Sequence, residues 1–129
     1  MEPTKDKALG LLGLARKAGK LQTGEETVSG LLAEKRARLT VLAVDAGEAV
    51  VRKVHALAAG TRQQILTIPY EKAALGAALG RPVVSVAAFA DVSMALAFVK
   101  ALPQGTAGPE LLQELERRVA RVKAKRKKN

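Results

Sequence analysis

The chain is expected to fold as a single α/β domain, a sheet packed between helices, and three features predict this. From Leu39 onward, strand-like apolar runs alternate with helical patterns through three strands and three helices. Such alternation argues for a mostly parallel sheet covered on both faces. The first run, Leu39 to Val44, is continuous, apolar and rich in β-branched residues, the pattern of a strand buried on both sides. Finally, 48% of the 129 residues are hydrophobic but only 2% are aromatic. The core must therefore be close-packed Leu, Val and Ala, with enough chain for one domain.

Residues 4 to 18 read as a first helix, with Thr4 at its N-cap and Ala8, Leu11, Leu12, Ala15 and Ala18 on one face. Gly19 then stands where a left-handed C-terminal residue belongs. Leu21 and Gln22 suit a short edge strand. A second helix should run from Gly24 to about Lys35, burying Val28, Leu31 and Leu32, with Thr23 and Glu26 spaced as a capping box. Gly30 within it costs about 1 kcal/mol relative to Ala, unless it marks a close approach. The remaining expected elements are strand 39–44, helix 48–59 ended by Gly60, strand 64–69, helix 71–79, strand 83–90 and helix 91–102. Pro103, Gly105, Gly108 and Pro109 suggest a hinge, so the domain is taken as residues 1–104. Residues 105–129 form a charged tail whose helical part, 110–125, should stand outside the core.

The formal charge of +10 is unevenly spread. Residues 117 to 129 hold eight Lys or Arg and no acid, leaving fourteen bases against twelve acids in the rest. A polyanionic partner is the usual meaning of such an arm, a solubilising tail the bland one. Three aromatic residues, Tyr70, Phe89 and Phe98, are too few for a base-stacking platform. No cysteine is present, which fits a reducing cytosol. The amino terminus lacks the order of a secretory signal, and no apolar run reaches the roughly 18 residues of a membrane span. A cytoplasmic location without membrane contact is expected.

Catalytic chemistry finds little support. Asp45 and Asp91 end strands, where ligands of α/β sheets gather, but a turn before Gly47 and a helix cap explain them as well. His55 is the lone histidine and lacks companions for a metal or a triad. No P-loop or dinucleotide fingerprint is present, so neither catalytic residues, metal nor cofactor is expected. Arg16, Lys17 and Lys20 cluster at the end of the first helix, either complementing its dipole or serving an anion site shared with the next helix start. The Gly-containing start at Gly24 leaves backbone N–H groups where an anion is favoured.

Leu11 to Gly24 (Leu-Leu-Gly-Leu-Ala-Arg-Lys-Ala-Gly-Lys-Leu-Gln-Thr-Gly), Ala37-Arg38-Leu39 running into Ala43-Val44-Asp45, then Leu75-Gly76 and Gly80 occur in an order and spacing that form one pattern. Over residues 5 to 102 the chain resembles the L-seven-Ae and L-thirty-e ribosomal proteins, kink-turn RNA binders, in their small bacterial YlxQ-type branch. The resemblance implies a three-layer α/β/α sandwich with a mixed four-stranded sheet. It also implies a non-enzymatic RNA-binding protein of the ribosome or translation machinery, acting as a monomer on structured RNA and possible ribosomal or translation proteins. The implied contacts are Lys20, Gly24, Glu25, Glu26 and Thr27 around the second helix start, and Arg81, Pro82 and Val83 in the loop before the last strand. The tail adds Arg117, Arg118, Arg121, Lys123, Lys125, Arg126, Lys127 and Lys128. Kink-turn binders typically carry Asn or Lys, Glu or Gln, and a later Lys along this helix, where the matching residues here are Glu26, Thr27 and Gly30. An acceptor-only carboxylate thus replaces a donor, and a cation is missing. The alternative is a protein-interaction module that keeps the fold without kink-turn recognition. An RNA-methylating enzyme's amino-terminal domain is a third relative, but the catalytic half is absent from this sequence.

Overall fold

The computed structural model describes residues 6 to 128, the last by its backbone alone, so Thr4 and the Lys128 side chain lie outside what is described. The elements are α1 (Lys7–Lys17), β1 (Leu21–Thr23), α2 (Glu25–Ala33), β2 (Leu39–Leu42), α3 (Glu48–Ala58), β3 (Ile65–Thr67), α4 (Lys72–Leu79), β4 (Val86–Phe89), α5 (Val92–Ala101) and α6 (Pro109–Lys128). The four strands form one mixed sheet in the order β1-β4-β2-β3. Side chains alternate across it. Leu39, Val41, Ala87 and Phe89 face the cluster built with α1, α4 and α5, while Leu42, Val86 and Ala88 face Val28 and Leu32 of α2 and Val54 and Ala58 of α3. The three-layer α/β/α sandwich follows, and in the core on the α1, α4 and α5 side Phe89 and Phe98 lie with ring centroids 5.3 Å apart.

The sheet is mixed, as the family resemblance implied, and not mostly parallel as the alternation of strands and helices argued. Only β2 and β3 run parallel, and β4 is antiparallel to both β1 and β2. The cause lies between β3 and β4. The chain leaves α4 at Gly80, in the left-handed region at φ 72°, and doubles back along that helix. The Arg81 N–H donates to the Gly76 carbonyl at 2.8 Å, and the Val84 N–H to the Lys72 carbonyl at 3.0 Å. The chain therefore re-enters the sheet at the end where α4 began, and β4 must run opposite to β2. Gly76 permits this return, since a Cβ there would lie 2.5 Å from the Arg81 carbonyl oxygen and 2.7 Å from that of Pro82.

Local signals account for most element ends. Asp6 caps α1 by accepting from the Leu9 N–H at 3.1 Å. The Gly19 and Lys20 N–H groups close the other end on Arg16 and Ala15 carbonyls. The capping box at Thr23 and Glu26 does not form, because Thr23 is committed to β1 opposite Ala87 and Gly24 becomes the N-cap without a side-chain bond. Gly30 has open space around it, so no close approach explains it. Two strands are shorter than expected at the ends leading into turns, and residues 83–85 remain loop rather than strand.

Helix α6 corrects a second expectation. Its first half is docked rather than outside the core: Leu115 is fully buried, Val119 nearly so, and Leu111, Leu112 and Val122 pack beside them along α5. These positions form an i, i+4, i+8 stripe with flanking residues, the apolar face of an amphipathic helix.

The Tyr70 hydroxyl donates to Asp6 Oδ2 at 2.8 Å, tying the start of α4 to the cap of α1. Burial first, then the Asp6 hydrogen bond and charge, push the phenol up to about 12. An unfolded tyrosine titrates near 10, so the folded state keeps a proton that the unfolded state loses. The resulting stability is complete below pH about 10 and disappears as pH rises toward about 12. Tyr70→Phe is expected to abolish that alkaline loss and to cost about 0.5 to 1.5 kcal/mol at neutral pH. Urea unfolding over a pH series measures both effects.

Candidate functional site

Strand direction sorts the candidate residues onto the two ends of the sheet. The carboxyl ends of β1, β2 and β3 meet the amino end of β4, and the starts of α2, α3 and α4 gather there. Gly24 stands at this end with φ 97° and ψ 149°, a conformation open to glycine and almost nothing else. Its N–H donates to the Val86 carbonyl at 3.1 Å, which locks the start of α2 to the exit of the 81–85 loop. The Ala43 N–H donates to the Ser85 carbonyl at 2.9 Å, adding the end of β2 to the same patch. The structure thus brings together the two features that the sequence singled out.

The chemistry of this end is mixed. The first intrahelical bond of α2 runs from the Val28 N–H to the Gly24 carbonyl. The N–H groups of Glu25, Glu26 and Thr27 are therefore the free donors of the first turn. Their own side chains are exposed, and Glu25 pairs with Lys53 at 3.8 Å. Two carboxylates in this turn suit the helix dipole and compete with any incoming anion. Arg81, Pro82 and Val83 are exposed in the returning loop. Val83 is 57% accessible and Val44, just past β2, 58%, so the end carries apolar surface as well as a cation. Asp45 accepts from the Lys72 N–H at 2.8 Å, so it caps α4 across the sheet end rather than merely shaping its own turn.

Lys20 does not join this surface. It precedes β1 and so lies at the opposite end of the sheet, where its Nζ sits 3.1 Å from Asp91 Oδ2. Burial would raise the Asp91 carboxyl, but the Met94 N–H and Lys20 hydrogen bonds outweigh it and hold the group below its usual range. Asp91 is thereby the cap of α5, accepting from Met94 at 2.9 Å. The tail residues also divide. Arg117 and Arg118 both pair with Glu114, and Arg118 further donates to the Arg62 carbonyl at 2.7 Å. The Arg118 hydrogen bond, only partly offset by desolvation, holds the Glu114 carboxyl low, aided by the charges of Arg118, Arg117 and Arg121. Arg121, Lys123, Lys125, Arg126 and Lys127 remain exposed. His55 is exposed on α3. No group of three or more His, Cys, Asp or Glu among the described residues could hold a metal ion, and none of their helices is long and apolar enough to cross a membrane.

Residues 6–97 match the ribosomal protein L7Ae/L30e/S12e/Gadd45 family. The chain belongs to this family. The matched stretch holds the whole sheet and ends within α5, so α6 lies beyond it. A 53-residue stretch is 42% identical to the RNA-binding protein YlxQ of Enterococcus faecium, covering 41% of this chain and about half, 52%, of that relative. A solved protein of unknown function from Bacillus halodurans is 27% identical, with a TM-score of 0.68 over 75% of this chain and 97% of its own. The Giardia lamblia 15.5kD RNA-binding protein has the same fold, with a TM-score of 0.57, 16% identity and coverage of 72% and 79%.

Proposed function

We propose that this chain is a non-catalytic RNA-binding protein that grips structured RNA of the translation machinery with the end of the sheet bearing Gly24 and Arg81. The observation that carries the reading is the Gly24 N–H to Val86 carbonyl bond, which makes the α2 start and the 81–85 loop one continuous surface. Three free backbone donors there suit phosphate oxygens, and Arg81 suits a phosphate or a base edge. Membership of the L7Ae/L30e/S12e/Gadd45 family and the RNA-binding name of the Enterococcus relative support RNA as the partner. The exposed end of α6, with Lys123, Arg126 and Lys127, adds phosphate contacts that carry no sequence information.

Glu25 and Glu26 beside exposed Val44 and Val83 favour a second reading, a protein-binding surface at the same end. Arg81→Ala separates the two. Its side chain is exposed, so thermal melting should not move, while RNA affinity should fall by about 1 to 3 kcal/mol if Arg81 reads a base edge and by less on phosphate. Gel-shift titration reads the difference. Wild-type affinity in the folded variant would overturn the Arg81 contact and favour the protein partner.

A further inference from the structure

At the end of the sheet opposite Gly24, a cleft of about 600 Å³ opens between α6, the turn from α2 to β2 and the turn from α3 to β3. Its rim carries Lys35, Arg38, Arg62, Arg121 and Lys125, all exposed and none in an ion pair among the described residues, with Arg121 acting on Glu114 only through its charge. We propose that this cleft is a second nucleic-acid site, taking the phosphodiester backbone of a further RNA segment. The inference rests on the RNA-binding reading above and extends it to a separate face.

The walls are built, not incidental. Gln63 joins the two turns, accepting from the Ala37 N–H at 3.0 Å and donating to the Leu32 carbonyl at 3.0 Å. Arg118 fastens α6 to the same place through the Arg62 carbonyl, and its charge and that of Arg117 answer Glu114, the one carboxylate on the lining. Arg118, Arg121 and Lys125 are spaced i, i+3, i+7, so docking α6 by its apolar stripe turns one basic row into the cleft. Like charges gathered this way repel one another and weaken the folded state. An anion that enters relieves that repulsion.

Lys35 points the same way. It sits at φ 60°, the one non-glycine residue with positive φ among those described, at the closing turn of α2. The equivalent turns of α1, α3 and α4 use Gly19, Gly60 and Gly80 at nearly the same angle. A lysine here carries backbone strain that glycine would not, and such strain gathers at functional positions. No aromatic ring lines the cleft, so its contacts are to phosphate rather than to stacked bases. With sites at both ends of strands only three to four residues long, the domain would bridge two RNA segments.

The test uses the full chain and a hairpin RNA carrying an internal loop, titrated across a salt series. Arg38→Gln with Arg121→Gln removes two phosphate contacts, so the slope of log affinity on log salt should flatten by about 1.4 to 1.8. Lys35→Gly should weaken binding while melting at the same or a higher temperature, a combination that a structural lysine would not give. An unchanged slope in the folded double variant, with Arg81→Ala still weakened, would overturn the cleft and leave the Gly24 surface standing. A flattened slope with Arg81→Ala at wild-type affinity would keep the cleft and remove the other site.

Discussion

Replacing Gly76 by alanine will destabilise the protein by about 1 to 3 kcal/mol, the usual cost of forcing a methyl group into packed surroundings. Helix propensity alone gives the opposite sign, because alanine is about 1 kcal/mol better than glycine in a helix interior. Packing decides the outcome. The new Cβ would meet backbone oxygens of Arg81 and Pro82 at 2.5 and 2.7 Å, and neither can swing aside as a side-chain tip would. Relief requires moving the 81–85 segment, which is held by the Arg81 and Val84 N–H bonds to α4 and delivers Val86 to Gly24. Gly76→Ala should therefore lower RNA affinity together with stability. Gly30→Ala is the internal control. It lies in α2 with nothing within 4 Å of its would-be Cβ, and it should gain close to the full propensity difference. Thermal or urea melts of the two variants test the contrast, and a stabilised Gly76→Ala would refute the close contact.

Gly24→Val should cost about 1 to 3 kcal/mol in stability, for a different reason. Space is open around Gly24, but φ 97° with ψ 149° excludes a branched side chain. The residue can reach an allowed conformation only by releasing the Val86 carbonyl or by tilting the first turn of α2. Either change separates the α2 start from the loop, so RNA affinity should fall even at temperatures where the variant is fully folded. Normal affinity in such a variant would mean that the Gly24 turn is not part of the binding surface.

The elements were largely legible from sequence because their signals are local. Gly19, Gly60 and Gly80 mark helix ends, and each has a positive φ. Asp91 reads as a cap and is one. What the local patterns missed was set by contacts distant along the chain, and only the family resemblance implied a mixed sheet. The direction of β4 depends on a loop crossing Gly76, and the lost capping box on Thr23 pairing with Ala87. Only three residues separate Lys20 from Gly24 in the sequence, yet those three form β1 and carry them to opposite ends of the sheet. Helix α6 is the avoidable miss, since Leu111, Leu115, Val119 and Val122 display its apolar stripe behind the charge. The basic cleft had no such signal, because Arg38, Arg62 and Arg121 converge only in three dimensions.

The most direct measurement is ultraviolet crosslinking of the full chain to a hairpin RNA with an internal loop, followed by mass spectrometric mapping of the attached peptides. Crosslinks in the 24–27 and 81–86 segments, lost together in Gly24→Val, are the expected result. Crosslinks confined to α6 and the turns beside it, with both of those segments unmodified, would contradict RNA binding at the Gly24 end of the sheet.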